Sequence, residues 1–190
     1  MAHHQADHVC PPWLGYFLAF NPLRRLMHSP GSVLAPFVSE GMTVLEPGPG
    51  MGFFTLELAR LVGPRGHVTA VDIQPKMLEV LRRRAERAGL LDRLDLRLLT
   101  RNSLGVQDLA GKIDFVFAFA MVHEVPDVAQ FFSETFATLR AGGRLLFSEP
   151  SGHVAEEHFA RSLNLALAAG LRIESRPRIR ISRSALLRRS

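Results

Sequence analysis

A glycine-rich segment, lying between an apolar run and an amphipathic one, carries the clearest chemical signal in this sequence. It covers residues 44–55 and reads Val-Leu-Glu-Pro-Gly-Pro-Gly-Met-Gly-Phe-Phe-Thr. Glycine lets the backbone turn tightly and approach a bound ligand closely. We therefore predict a ligand-binding loop between a strand and a helix, formed by Gly48, Pro49, Gly50 and Gly52.

Two carboxylates accompany this loop. Asp72 follows Gly52 by twenty residues and ends the next apolar run, where a carboxylate can accept hydrogen bonds from both hydroxyls of a ribose. Glu46 stands two residues before Gly48, where its charge would repel a pyrophosphate and attract an ammonium group. Together the two carboxylates favour a nucleoside ligand that carries an amino group.

The sequence also separates the common nucleoside cofactors. No Gly-Lys-Ser/Thr follows the loop, which excludes a phosphate-binding P-loop, and Phe53 replaces the third glycine of the dinucleotide pattern GxGxxG. S-adenosylmethionine (SAM) has an amino group, a cationic sulfur and a ribose but no phosphate. The residues therefore favour SAM over NAD, and a dehydrogenase is a distant alternative.

Polar side chains follow two further strand-like runs. His123 and Glu124 come after Ile113–Phe119, and Glu149 ends the run that starts at Arg144. In open α/β sheets, ligands bind at the carboxyl ends of the strands. His123 could act there as a base or orient a substrate, while the structural alternative is that it caps the next helix or lines the pocket. Glu149 is either a second polar group of the site or a strand terminus.

The N-terminal residues His4, His8 and Cys10 have side chains that suit soft metals. A lone cysteine is usually inert unless its pKa is lowered, and this one lies in a terminal segment. We therefore predict no metal site. One cysteine in 190 residues also excludes an intramolecular disulfide.

The elements that must position these groups follow from the hydrophobic pattern. Strand-like runs alternate with helix-like segments, which predicts βαβ units and a doubly wound parallel sheet. The predicted strands are Met42–Glu46, His67–Asp72, Leu94–Leu99, Ile113–Phe119 and Arg144–Glu149, and the predicted helices are Phe53–Val62, Pro75–Gly89, Asp127–Leu139 (ended by Gly142 and Gly143) and Ala155–Ala169.

Both ends of the chain depart from this alternation. Residues 1–40 hold five of the twelve prolines and a cluster of aromatic residues, which predicts a helical cover ahead of a main domain at 41–190. Leu171–Arg188 contains two strand-like runs and no helix, which predicts an antiparallel closing edge. Seven arginines and one acid lie within 171–190, so the net charge of +5 comes from this segment. They either bind nucleic acid or keep an edge strand solvated.

Composition bounds the remaining possibilities. A chain of 190 residues with 47% hydrophobic and 22% charged residues predicts a globular domain. The longest apolar run, Phe115–Val122, is much shorter than the roughly 20 residues that a membrane-spanning helix needs. We expect no membrane segment, no signal peptide and a cytoplasmic location.

The pattern Glu46-x-Gly48-x-Gly50-x-Gly52, followed by Asp72, closely resembles the first two motifs of class I SAM-dependent methyltransferases. The resemblance spans about 42–190. It implies a Rossmann-like, doubly wound, seven-stranded sheet that is mostly parallel, with the last strand inserted antiparallel. It also implies SAM as cofactor and S-adenosylhomocysteine as product.

The resemblance extends to residues beyond the loop. Asn102-Ser103 matches the place where many members have Asp-Ala in contact with the adenine amino group. Ile73 would pack on the adenine face, and Phe119 would lie near the methionine portion. The Asn-Pro-Pro-Tyr motif of amino-methylating nucleic-acid enzymes is replaced by Phe-Ala-Met-Val at 119–122, which disfavours methylation of adenine or glutamine nitrogens.

These observations favour a SAM-dependent methyltransferase that acts on a small molecule, because the chain leaves no room for a separate nucleic-acid module. Two alternatives stay open. One is an RNA methyltransferase that uses the arginines of 171–190, and the other is a SAM-binding regulator without activity. The acceptor atom and the oligomeric state are not predicted.

Overall fold

A computed structural model describes residues 29–100 and 103–190, which form one seven-stranded sheet with flanking helices. The strands are β1 Thr43–Pro47, β2 His67–Asp72, β3 Leu94–Leu98, β4 Ile113–Phe119, β5 Leu139–Pro150, β6 Leu171–Ser175 and β7 Ser182–Arg189. The helices are α1 Pro30–Leu34, α2 Thr55–Val62, α3 Pro75–Arg87, α4 Val128–Thr138 and α5 Glu156–Ala168.

The order across the sheet is β3-β2-β1-β4-β5-β7-β6. Strands β1 to β5 pair in parallel, whereas β7 pairs antiparallel with both β5 and β6. This arrangement confirms the predicted doubly wound, mostly parallel sheet with its last strand inserted antiparallel. It also brings the carboxyl ends of β2, β1, β4 and β5 side by side along one edge.

Alternate residues of the central strands enter two separate hydrophobic cores. In β4, Phe115 and Phe117 join a core with Leu58 of α2, whereas Val116 packs on the opposite face with Phe132 of α4 and Phe159 of α5. A sheet covered on both faces buries successive side chains, which explains why β4 is almost continuously apolar in sequence.

The element bounds depart from the sequence prediction most clearly at the start of α2 and between α4 and β5. Helix α2 begins at Thr55, two residues later than predicted, because the glycine loop continues through Phe53. Gly142 and Gly143, predicted to end α4, lie inside β5, since α4 ends at Thr138. A Cβ on Gly143 would lie 2.9 Å from the carbonyl oxygens of Arg140 and Ile113. Glycine therefore serves close backbone packing here and not a helix stop.

Part of the predicted N-terminal cover lies outside the described residues, so the role of residues 1–28 stays a prediction. Within the described part, Leu34 and Val38 are buried in the same core as Val44. The Phe37 ring stacks on Phe115 with centroids 6.0 Å apart. Residues 30–38 therefore pack against the sheet domain.

Two of the C-terminal arginines have structural contacts. Arg183 donates from Nη1 to the carbonyl oxygens of Ser151 and Val154, and Arg189 donates to three carbonyls around the end of α4. These bonds join β7 to neighbouring segments. Within residues 29–100 and 103–190, no helix combines the length and apolar character needed to cross a bilayer.

Candidate cofactor and acceptor site

The glycine loop leaves β1 at the carboxyl edge of the sheet. Gly48 has a φ of 67°, and a Cβ there would lie 2.9 Å from the Cβ of Met121. Gly50 also has a positive φ, of 54°, but a Cβ there would meet no atom of the described residues within 4 Å. Packing therefore requires glycine at position 48, whereas position 50 leaves an open space that a ligand could fill.

Asp72 ends β2 and holds the loop in place. Its Oδ2 accepts a hydrogen bond from the Gly50 N–H at 3.3 Å, and its Oδ1 accepts one from the Gln74 N–H at 2.9 Å. Burial raises the pKa of Asp72 to about 6, helped by the charge of Glu124 and opposed by the hydrogen bonds from the backbone. The carboxylate thus couples the end of β2 to the loop and retains lone pairs for hydroxyl donors.

Glu46 lies in β1 directly beneath the loop and is only 3% exposed. Its Oε2 has no hydrogen-bond partner among the residues that the structure describes. Burial raises the pKa of Glu46 to about 8, with the nearby Thr55 hydroxyl opposing the rise and the charge of Asp72 adding to it. A cation bound beside Glu46 would favour its charged form and supply the missing partner.

The structure places the remaining predicted cofactor residues around this edge, with one exception. Asn102 lies outside the described residues. The Ser103 hydroxyl accepts hydrogen bonds from the Gly105 N–H at 3.1 Å and the Gln107 side chain at 3.2 Å, so its contacts are local. Ile73 is half-buried directly after Asp72.

Phe119 ends β4 within an aromatic cluster. Its ring lies 4.8 Å from Phe54 and 5.5 Å from Phe117, measured between centroids. The next residue, Ala120, has a φ of 56° and donates its N–H to the Ser148 carbonyl at 2.8 Å. This left-handed turn starts the segment that carries Met121 over Gly48.

That segment ends in a short 3-10 turn, Val122–Glu124, which brings His123 onto Glu149. The His123 Nδ1 lies 2.7 Å from Glu149 Oε2, and the His123 backbone N–H donates to Glu149 Oε1 at 3.1 Å. Glu149 ends β5 and is 2% exposed. The two residues that the sequence placed after different strands thus form one pair, in which Glu149 is buried and His123 is partly exposed.

Two neighbours of these groups were not predicted from the sequence. The ring of His153 meets that of His123 edge-on, with centroids 5.0 Å apart. Met121 fills the space over Gly48. The signal for His153 was its position just after the predicted strand ending at Glu149; no sequence pattern indicated the role of Met121.

These groups lie near one another along the carboxyl edge of the sheet. Gly50 binds Asp72, Glu124 lies close enough to Asp72 to influence its pKa, and the residue before Glu124 is His123. Within the described ranges, no group of three or more His, Cys, Asp or Glu side chains is arranged to hold a metal ion. His4, His8 and Cys10 lie outside those ranges.

The sequence is similar to several named methyltransferases. It is 40% identical over 114 residues to the ubiquinone biosynthesis O-methyltransferase of Methylocella silvestris, covering 60% of this chain and 41% of that protein. It is 33% identical over 116 residues to the ubiquinone/menaquinone biosynthesis C-methyltransferase of Brucella canis, covering 61% and 42%. The chain therefore aligns with about two fifths of the length of these two relatives.

The fold also matches solved structures. A SAM-dependent methyltransferase from Aquifex aeolicus superposes with a TM-score of 0.83 at 22% identity, covering 95% of this chain and 99% of that one. The sequence model described as a methyltransferase domain matches residues 38–173, which is most of the chain. The chain therefore belongs to the methyltransferase domain family and has the class I, SAM-dependent type of fold.

Proposed function

We propose that this protein is a SAM-dependent methyltransferase whose acceptor is a small molecule. The observation that carries the proposal is the group formed by Glu46, the glycine loop and Asp72. It offers a buried carboxyl with one oxygen that has no partner among the described residues, an open loop surface and a loop-bound carboxylate within one edge of the sheet. SAM has a complementary ammonium group, nucleoside and ribose.

The residues of this chain have separable roles in the proposed complex. Glu46 would pair with the ammonium group, and Asp72 would accept hydrogen bonds from the ribose hydroxyls. Gly50, Pro49 and Gly52 would let the loop backbone approach the ligand. Ile73, Asn102 and Ser103 are proposed for the adenine and Phe119 for the methionine portion. These contacts are proposed from the family resemblance and from the position of each residue.

When bound, SAM supplies an electrophilic methyl group on a sulfonium. The protein contributes mainly proximity and alignment to such a displacement. In this chain the acceptor would approach from the side of His123, because Met121, two residues earlier, lies against Gly48 of the loop.

A small-molecule acceptor is supported by the names of the relatives, which are quinone-biosynthesis enzymes that methylate oxygen or carbon. RNA is the second candidate. The exposed residues Arg172, Arg176 and Arg178 would supply its phosphate contacts, whereas Arg183 and Arg189 have structural bonds to backbone carbonyls. A SAM-binding regulator without activity is the third. A cytoplasmic location stays a prediction.

The test is transfer of a tritiated methyl group from SAM. One set of reactions contains small acceptors with hydroxyl, thiol, amine or activated-carbon groups, and another contains bulk RNA. The proposal expects label in at least one class of small acceptor and none in RNA. Label in RNA alone supports the second candidate, and binding of SAM without any transfer supports the regulator.

A further inference from the structure

Both carboxylate oxygens of Glu149 contact a single residue, His123. Oε1 accepts the backbone N–H of His123 at 3.1 Å, and Oε2 lies 2.7 Å from Nδ1 of the same residue. A buried carboxylate needs hydrogen-bond donors, and Glu149 meets both of them on one residue. Here the two contacts fix both the position of the turn and the orientation of the ring.

This pairing determines which ring nitrogen is available. A carboxylate accepts hydrogen bonds, so Nδ1 carries the proton in the neutral imidazole and Nε2 carries the lone pair. Nε2 lies 3.9 Å from the nearest oxygen of Glu124, beyond hydrogen-bond distance, and the side chain of His123 retains 20% exposure. Nε2 is thus a proton acceptor held at the edge where the acceptor would bind.

We propose that His123 is the general base of the reaction, that Glu149 is its positioning residue, and that the acceptor atom is the oxygen of a weakly acidic hydroxyl, as in a phenol. The inference rests on the proposed function and names its substrate class. A thiol that is already ionised in solution would not need a base held in this way.

In the proposed step, the acceptor O–H bond breaks and its proton moves to Nε2 of His123, while the oxygen forms a bond to the methyl carbon of SAM. The bond between that carbon and sulfur breaks, and its electron pair stays on sulfur, which leaves as the neutral thioether of S-adenosylhomocysteine. The imidazolium that results is stabilised by Glu149, and it returns the proton to solvent.

The charged and titratable groups around His123 set the pH dependence of this step. They are Glu149 from β5, Glu124 from the same turn and His153 from the segment after β5. Burial lowers the pKa of His123, but the hydrogen bond and charge of Glu149, with the charge of Glu124, outweigh burial and raise it above 6.5. The base is unprotonated only above its pKa, so the rate should rise with pH through that value.

The experiment compares two acceptors of similar shape at pH 7.5. Catechol keeps its hydroxyl protonated at this pH, whereas 4-nitrocatechol is largely ionised. We expect His123→Gln to reduce kcat/KM for catechol by about 100-fold, the order that general bases contribute, and to reduce it for 4-nitrocatechol by less than tenfold. His158→Gln, at an exposed position on α5, is the matched control and should change neither rate.

A second variant tests the positioning role. An amide at position 149 can accept only one of the two hydrogen bonds and cannot stabilise an imidazolium by charge. We expect Glu149→Gln to lower the maximal rate with catechol about tenfold and to move the rising limb of the pH profile to lower pH. Glu86→Gln on α3, where the side chain is exposed, is the control. A purely structural role would lower the rate without moving the limb.

These outcomes separate the inference from the proposed function. Equal losses with the two catechols, or an unshifted pH profile in Glu149→Gln, would overturn the assignment of His123 and Glu149. Transfer to thiol, amine or carbon acceptors but to no hydroxyl would overturn the substrate class and leave the proposed function intact. Calorimetric titration of each variant with SAM is the control, because the affinity for SAM should not change.

Discussion

The Gly50 N–H donates a hydrogen bond to Asp72 Oδ2 at 3.3 Å, which ties the glycine loop after β1 to the end of β2. These two residues are 22 positions apart, and each lies at the carboxyl end of a strand in the parallel pair β1–β2. The residue proposed to hold the ribose therefore also shapes the loop proposed to approach the cofactor. Changes at either position should affect the same ligand.

Replacement of Gly50 by alanine should weaken SAM binding without an unusual loss of stability. Gly50 and Gly111 both have positive φ, 54° and 67°, and a Cβ at either would meet no described atom within 4 Å. Each alanine should thus cost about 1 kcal/mol of backbone strain. Only Gly50→Ala should also raise the Kd for SAM, by tenfold or more, because its methyl group would enter the space proposed for the ligand.

Urea unfolding and calorimetric titration of the two variants check this pair. Equal SAM affinities for Gly50→Ala and Gly111→Ala would contradict the proposed position of the ligand. A much larger loss of stability in Gly50→Ala would show that the protein itself fills that space.

The protein without ligand should lose stability as the pH rises from 5 to 8. Burial raises the pKa of Glu46 from 4.5 to about 8, so the folded state retains a proton that the unfolded state releases above pH 4.5. The stabilisation is complete below pH 4.5 and is lost as the pH approaches 8. Burial also raises the pKa of Asp72, to about 6, so Asp72 adds to this loss of stability over a lower pH range.

Glu46→Gln isolates this effect. The amide has no proton to lose, so its free energy of unfolding should fall less over this range than that of the wild type, by on the order of 3 kcal/mol. Urea unfolding at each unit of pH measures the difference, with Glu86→Gln as the exposed control. Parallel curves for wild type and Glu46→Gln would show that Glu46 is ionised in the folded protein.

The backbone at Ile181 should be strained. Its φ is 57°, which a β-branched residue rarely adopts, and its carbonyl accepts the Ser151 N–H at 3.0 Å beside the end of β5. Ile181→Gly relieves the strain, whereas Ile173→Gly, at a similarly exposed position in β6, does not. The first variant should be more stable than the second by about 1–2 kcal/mol.

Thermal or urea unfolding of both glycine variants measures that difference. Ile173 is 41% and Ile181 is 48% exposed, so the loss of buried side-chain area is comparable. Equal destabilisation by the two substitutions would mean that the loop before β7 holds no strain.

Much of the fold could be predicted because the signals are local. The apolar run of β4 and the Asp72 position reflect burial on both faces and strand termination, and both are visible in short windows of sequence. The role of Gly143 could not be predicted in this way. A glycine next to a helix end resembles a helix stop signal. Gly143 instead packs closely against the carbonyl oxygens of Arg140 and Ile113, and Ile113 lies on another strand.

In the candidate site, too, some groupings follow from local sequence and others depend on the fold. Glu46, Gly50 and Asp72 belong to a motif with fixed spacing, so their grouping follows from the sequence. The pairing of His123 with Glu149 depends on β4 and β5 being neighbours and on the left-handed turn at Ala120. The position of His153 against His123 depends on the turn after β5, which carries no periodic pattern.

Calorimetric titration of SAM into the wild-type protein and into Asp72→Asn tests whether the glycine loop and Asp72 bind SAM. A hydrogen bond to a charged group contributes about 1.5–3 kcal/mol, so the variant should bind SAM about 10- to 100-fold more weakly, while Asp92→Asn, at an exposed position, binds like the wild type. Comparable melting temperatures show that the variants are folded. Absence of SAM binding by the wild type, or equal affinity in Asp72→Asn, would contradict the assignment of this loop and Asp72 to SAM.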